Sequence, residues 1–212
     1  MSKRNSESPP AGTNRLIVGI TGASGAPYAV RFVEQAVRAG RQVWLIVTPA
    51  GRLVLADEAG LAAEPPEPDL SSLWPKDILA HVTYAPAERL DAPPASGSFS
   101  ADAVVIIPCS MNTVAALAHG LSANLLQRAA QVALKEGRRL LVVPRETPLT
   151  RIDLENLARL SSVGAEIVPA MPGFYHRPQS VADLVDFVVA KVLTRLGIEH
   201  SLGVQWPGCN PP

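Results

Sequence analysis

Cysteine is scarce in this sequence, and an excess of charge of either sign is absent. Two cysteines occur in 212 residues, Cys109 and Cys209. They lie far apart and outside any CxxC or Cys/His spacing, so the sequence offers no zinc-site pattern. Lys plus Arg and Asp plus Glu number 19 each, for a formal net charge of zero. That balance lacks the electrostatic footprint of a nucleic-acid binder or of a protein drawn to anionic membranes. No run of about 18 apolar residues exists to cross a bilayer. Met1 to Asn14 is polar and has no apolar stretch of the signal-peptide kind, so residues 1–14 are expected to form a frayed tail. These absences predict a soluble cytoplasmic protein with one domain large enough for a sizeable core.

What is present is alternation. Leu16–Ile20, Val43–Val47, Ala103–Ile107 and Leu140–Val143 are continuous apolar runs, and Glu166–Val168 is a shorter one. Runs of this kind fit parallel strands covered on both faces. Between them apolar residues recur at helical spacing: Ala29, Phe32, Val33, Ala36 and Val37 in one helix, Leu125, Leu126, Ala129, Ala130 and Ala133 in another. Ile152, Leu154, Leu157 and Leu160 mark a third, and Val181 to Leu196 a fourth. The pattern predicts an α/β protein with a doubly wound parallel sheet in three layers, of the Rossmann-like, flavodoxin-like kind. The proline-rich Leu61–Pro75 stretch reads as a surface excursion.

The strand ends carry the chemistry, because ligands of open parallel sheets bind beyond the carboxyl ends of the strands. The first strand runs into Thr21-Gly-Ala-Ser-Gly25, a tight turn that brings backbone amides to a helix N-terminus, where an anion is favoured. It is neither GxGxxG nor a Walker loop, and the same turn also serves a junction without a ligand. Ser24 would donate to a phosphate or cap the helix. The third long run ends in Pro108-Cys-Ser-Met-Asn-Thr113, small polar groups beside a polarizable Met111 that suit a flat heteroaromatic ring. Asn112 or Thr113 would equally cap the helix that follows. Leu140–Val143 ends in Pro144-Arg-Glu-Thr-Pro148, an arginine and a carboxylate held between two prolines. Arg128 and Lys135, seven residues apart, fall on one helix face. Tyr175 ends a proline-broken loop, and Lys191 stands in an otherwise apolar helix.

Taken together, Gly19–Gly25, Ala95–Phe99, Pro108–Thr113, Asn124–Ala130, Leu134–Glu136, Pro144–Leu149, Pro172–Tyr175 and Asp183–Phe187 resemble the flavin prenyltransferases of the UbiX type. The similarity spans residues 15 to 206. It implies a flavodoxin-like subunit over residues 15–196 that assembles into a homododecamer. Residues 197–212 would form a tail that closes over the site or a neighbouring subunit. Members join the dimethylallyl group of dimethylallyl monophosphate to reduced FMN at N5 and C6, without a metal. The product, prenylated FMN, goes to a UbiD-type decarboxylase.

Carried onto this chain, the resemblance assigns flavin contacts to Gly22, Ala23, Ser24, Thr48, Ser110, Met111, Asn112, Thr113 and Arg145. It gathers Arg128, Lys135, Tyr175 and Lys191 around the donor's phosphate. It makes Glu146, Ser24 and Glu58 catalytic: Glu146 would manage a proton, Ser24 would lie beside flavin N5, and Glu58 would be a second acid near the donor; Trp206 would close the site. Departures from the family pattern are Ala123 and Gln131 where aspartates are common, which predicts altered helix capping or subunit contacts. Lys191 stands where many members have arginine. It keeps the charge and loses the bidentate fork. Two other readings compete. One is a flavin-dependent cysteine-type decarboxylase, which needs a catalytic histidine; His81 is the only histidine between the second strand and Cys109. The other is a non-catalytic carrier of flavin or prenylated FMN.

Overall fold

The computed structural model describes residues 13–62 and 68–202. Its centre is a six-stranded sheet: β1 (Arg15–Ile20), β2 (Gln42–Val47), β3 (Val82–Pro86), β4 (Ala103–Cys109), β5 (Arg139–Pro144) and β6 (Glu166–Ile167). All neighbours pair in parallel, in the order β3-β2-β1-β4-β5-β6. This is the doubly wound Rossmann order, and the direction of winding reverses between β1 and β4. The helices are α1 (Ala26–Arg38), α2 (Pro49–Ala59), α3 (Lys76–Leu79), α4 (Met111–Ala118), α5 (Leu125–Lys135), α6 (Arg151–Ser162) and α7 (Val181–Leu196). Among the described residues no helix is long and apolar enough to cross a membrane.

The apolar runs lack alternation because both sheet faces are covered. Leu16, Val18 and Ile20 of β1 point into a core built with α1 and α7, where Phe32, Val33, Val188, Val189 and Leu193 are buried. Ile17 points the other way, into a second core with Val114 and Leu117 of α4 and Leu125, Leu126 and Ala129 of α5. Thus α1 and α7 form one outer layer and α4 and α5 the other. Local signals set the ends of these helices. Thr150 and Asp153 form a capping box on α6, and Ser180 and Asp183 form one on α7. Asn124 caps α5 by accepting from the Gln127 amide at 2.9 Å, so the cap survives with Ala123 in front of it.

Three features depart from the sequence reading. β3 follows a half-exposed pattern at the sheet edge, so no continuous apolar run announces it. α2 buries only Gly51 and Leu55 among its residues, which leaves little helical periodicity to read. The Leu61–Pro75 stretch is not only a surface excursion: Trp74 is buried, and its indole N–H donates to the Val30 carbonyl at 2.9 Å.

α2 is set tightly against the end of β1. A Cβ at Gly51 would stand 2.5 Å from the Ile20 carbonyl oxygen and 2.9 Å from its carbon, and main chain cannot move aside as a side chain does. Gly51→Ala is therefore expected to lower stability by about 1–3 kcal/mol. The measurement is a urea midpoint that falls at unchanged m-value; an unmoved midpoint would show that the junction has slack.

Candidate active site

The loops after β1, β2, β4 and β5 meet at the reversal point of the sheet. Thr21 ties the first to the third. Its hydroxyl donates to the Pro108 carbonyl at 3.0 Å and accepts from the Ser110 amide at 2.7 Å. Thr48 closes β2 onto β1, its amide donating to the Ile20 carbonyl at 3.0 Å. It also caps α2, its hydroxyl accepting from Gly51 N at 3.1 Å. Gly22 lies against this cap: a Cβ there would come within 2.6 Å of the Ala50 Cβ. Arg145, just past β5, closes the ring of loops. Its amide donates to the Cys109 carbonyl at 3.3 Å and its Nε to the Ser24 carbonyl at 2.9 Å.

This geometry fits a flavin. Among the described residues the amides of Gly22, Ala23 and Ser24 have no protein acceptor, which leaves donors for a ring or phosphate oxygen. Ser110 caps α4 by accepting from Thr113 N at 3.4 Å, and the two hydroxyls meet at 3.2 Å. Capping by Asn112 or Thr113 is thereby corrected. A cap must be extended, as Ser110 is at φ −76° and ψ 152°, and the other two already lie within the helix. Cys109 is buried, which pushes its thiol well above the ordinary value and leaves it inert at neutral pH.

The α1 N-terminus is not open to a phosphate as the turn suggested. Glu58 reaches from α2 and accepts from Gly25 N at 2.8 Å and Ala26 N at 2.9 Å. Ser24 does not cap the helix; its hydroxyl instead favours the charged form of the same carboxylate. Burial alone would raise the Glu58 pKa. The Ser24 hydroxyl, the two amides and the nearby Arg145 charge outweigh it and hold the carboxyl below its ordinary value. Tyr28, on the first turn of α1, is pushed up by burial and drawn partly back by Arg145. Neither contact was legible in advance, since Glu58 lies 33 residues from Gly25.

A depressed carboxylate stabilises the fold above its unfolded pKa, and that contribution is lost as pH falls through the folded value. Glu58→Gln should cost about 1 kcal/mol at neutral pH, the scale of a lost helix cap. The gap from the parent should close as pH drops below the ordinary carboxylate value of about 4.3. Chemical denaturation across pH measures both, and a gap that persists into acid would contradict the assignment.

Glu146 is exposed, and its carboxylate turns back to accept from Thr147 N at 2.9 Å. The four expected phosphate ligands form two pairs, not one ring. Arg128 and Lys135 lie on α5. Arg128 Nε donates to the Ala95 carbonyl at 3.1 Å, and Lys135 pairs with Glu136 at 3.1 Å. Tyr175 and Lys191 share Phe187 of α7. The tyrosine ring meets it at right angles at 5.7 Å, and the Lys191 ammonium sits 5.4 Å from its centroid. Since α5 and α7 cover opposite faces of the sheet, the pairs stand in opposite layers of one subunit. Trp206 lies outside the described residues.

An open parallel sheet with four strand-end loops gathered at its reversal point is where doubly wound proteins bind nucleotides, and the Flavoprotein family model matches residues 4–193, which makes this a flavoprotein subunit. The flavin prenyltransferase UbiX of Halalkalibacterium halodurans is 47% identical over 189 residues, covering 89% of this chain and 91% of that protein. A dodecameric FMN-dependent UbiX-like decarboxylase from Escherichia coli O157:H7 superposes with a TM-score of 0.79 at 39% identity, over 92% of this chain and 100% of that one. AnUbiX, solved in complex with FMN and dimethylallyl pyrophosphate, gives a TM-score of 0.80 at 32% identity, over 92% and 97% of the two chains. The chain belongs to the flavin prenyltransferase (UbiX) family and is an enzyme of the prenyltransferase class.

Proposed function

We propose that this enzyme joins the dimethylallyl group of dimethylallyl monophosphate to reduced FMN and releases phosphate. The flavin supplies its N5 and C6 as the atoms at which the new carbon bonds form. The observation that carries the reading is the Arg145–Ser24 bond at 2.9 Å, which ties the loops of β1 and β5 together beside the β4 loop. The Gly22–Ser24 amides, Thr48, the Ser110–Thr113 turn and Arg145 hold the flavin. The Ser24 hydroxyl lies beside N5, and Glu146 accepts the proton lost there.

The departing phosphate concentrates negative charge, and preorganised cations stabilise it without a metal. Arg128 and Lys135 from one subunit and Tyr175 and Lys191 from another supply that surface. Their placement on opposite layers supports a site completed only in a homo-oligomer, which we take to be a dodecamer. Trp206 closes it from the tail. The product is prenylated FMN, delivered in the cytoplasm to a UbiD-type decarboxylase. A cysteine-type decarboxylase would need its histidine base at the flavin. His81 precedes β3 at the amino ends of the strands, away from the carboxyl-end loops, and is bonded to Gln42 at 2.8 Å.

Turnover tests this reading against a flavin carrier. With reduced FMN and dimethylallyl monophosphate in large excess under anaerobic conditions, many phosphates should be released per subunit. A yield that stops at one equivalent would mark a carrier.

A further inference from the structure

Arg138 has no part in the reading above, yet it grips the chain far from its own position. It follows α5 and reaches back to the turn leading into β4. Its Nη1 donates to the Phe99 carbonyl and its Nη2 to the Gly97 carbonyl, both at 2.6 Å and partly buried. Charge-assisted bonds of this length are among the stronger polar contacts a protein makes. Arg128 holds the next alternate carbonyl, that of Ala95, at 3.1 Å. The carbonyls of residues 95, 97 and 99 are thus fixed by arginines at the two ends of α5. The Phe99 ring anchors the turn's far end, packed edge-on to Trp44 at 5.1 Å with Arg15 over it at 4.7 Å.

The second cation of α5 is referenced to the same turn. A Cβ on Gly97 would stand 2.5 Å from Glu136 Oε1, so the glycine leaves that carboxylate its place. The same oxygen holds the Lys135 ammonium at 3.1 Å. Arg128 through Ala95, and Lys135 through Glu136 and Gly97, therefore take their positions from one turn whose main chain Arg138 clamps.

We propose that Arg138 is a positioning residue for the donor's phosphate. It does not touch the donor; it fixes the 95–99 turn and, through it, Arg128 and Lys135. The inference rests on the reading that those two cations bind that phosphate. The test uses the full-length oligomer with saturating reduced FMN and varied dimethylallyl monophosphate. Arg138→Ala should raise the donor KM about tenfold, with kcat and the KM for reduced FMN held within about twofold. Arg138→Lys should recover only part of this, because one ammonium cannot span two carbonyls as the guanidinium fork does. On an Arg128→Ala background, adding Arg138→Ala should cost little more, since both act through one contact set.

A purely structural role would lower flavin affinity and the unfolding midpoint as well, and its effect would multiply with that of Arg128→Ala. That result, or an unchanged donor KM in Arg138→Ala, overturns the inference while leaving the proposed activity intact. A parent enzyme that makes no product overturns both. Should Arg138→Ala fail to fold, Arg138→Lys alone and combined with Arg128→Ala provides the same comparison.

Discussion

Arg128→Ala and Lys191→Ala should each lower kcat/KM for the prenyl donor by about 10²–10³-fold, the usual cost of removing one preorganised donor from developing negative charge. The two inactive variants should then rescue each other. Arg128 stands on α5 in one outer layer and Lys191 on α7 in the other, so a site using both draws them from different subunits. When the variants are co-expressed and assemble at random, about one site in four receives an intact Arg128 and an intact Lys191. Roughly a quarter of the parent activity should return. Variants mixed as preformed oligomers that do not exchange subunits should stay inactive. Absence of rescue after co-expression would mean that the phosphate site is not shared in this way.

Glu146→Gln is expected to lower kcat by about 10²–10⁴-fold, the range for loss of a positioned acid–base group, with reduced-FMN affinity nearly unchanged. The pairing of this variant with Glu58→Gln is what makes it informative. Glu58 already accepts the Gly25 and Ala26 amides on its Oε2, so that oxygen is committed to holding α1. Glu146 is exposed beyond β5, its contact local to Thr147, which leaves it able to meet a substrate. Single-turnover rates across pH separate the two. A large fall in rate for Glu58→Gln with Glu146→Gln unaffected would reverse the assignment and make Glu58 the proton acceptor.

The central strands could be read from the chain because burial on both faces confines polar residues to their first positions, Arg15 and Arg139; Val18, Ile106 and Val142 are fully buried. β3 escaped because an edge strand keeps one side in water. The strand-end loops were legible as well, since Gly22, Ser110 and Arg145 each follow an apolar run at once. What pairs with what across the fold was not. The Glu58 carboxylate at the α1 N-terminus, the Arg138 clamp and the separation of Arg128 from Lys191 arise from helices packing on one sheet face or the other. Single-chain spacing carries no record of that. The arginine and glutamate after β5 show the same limit: their order is plain in the sequence, and only the fold shows Arg145 reaching Ser24 while Glu146 turns back to Thr147.

The most direct measurement is the mass of the flavin recovered after anaerobic incubation of the enzyme with reduced FMN and dimethylallyl monophosphate in the presence of a metal chelator. The recovered flavin should be heavier by one five-carbon unit, with one phosphate released for each. Recovery of unaltered FMN, from enzyme shown to bind it, would contradict the account.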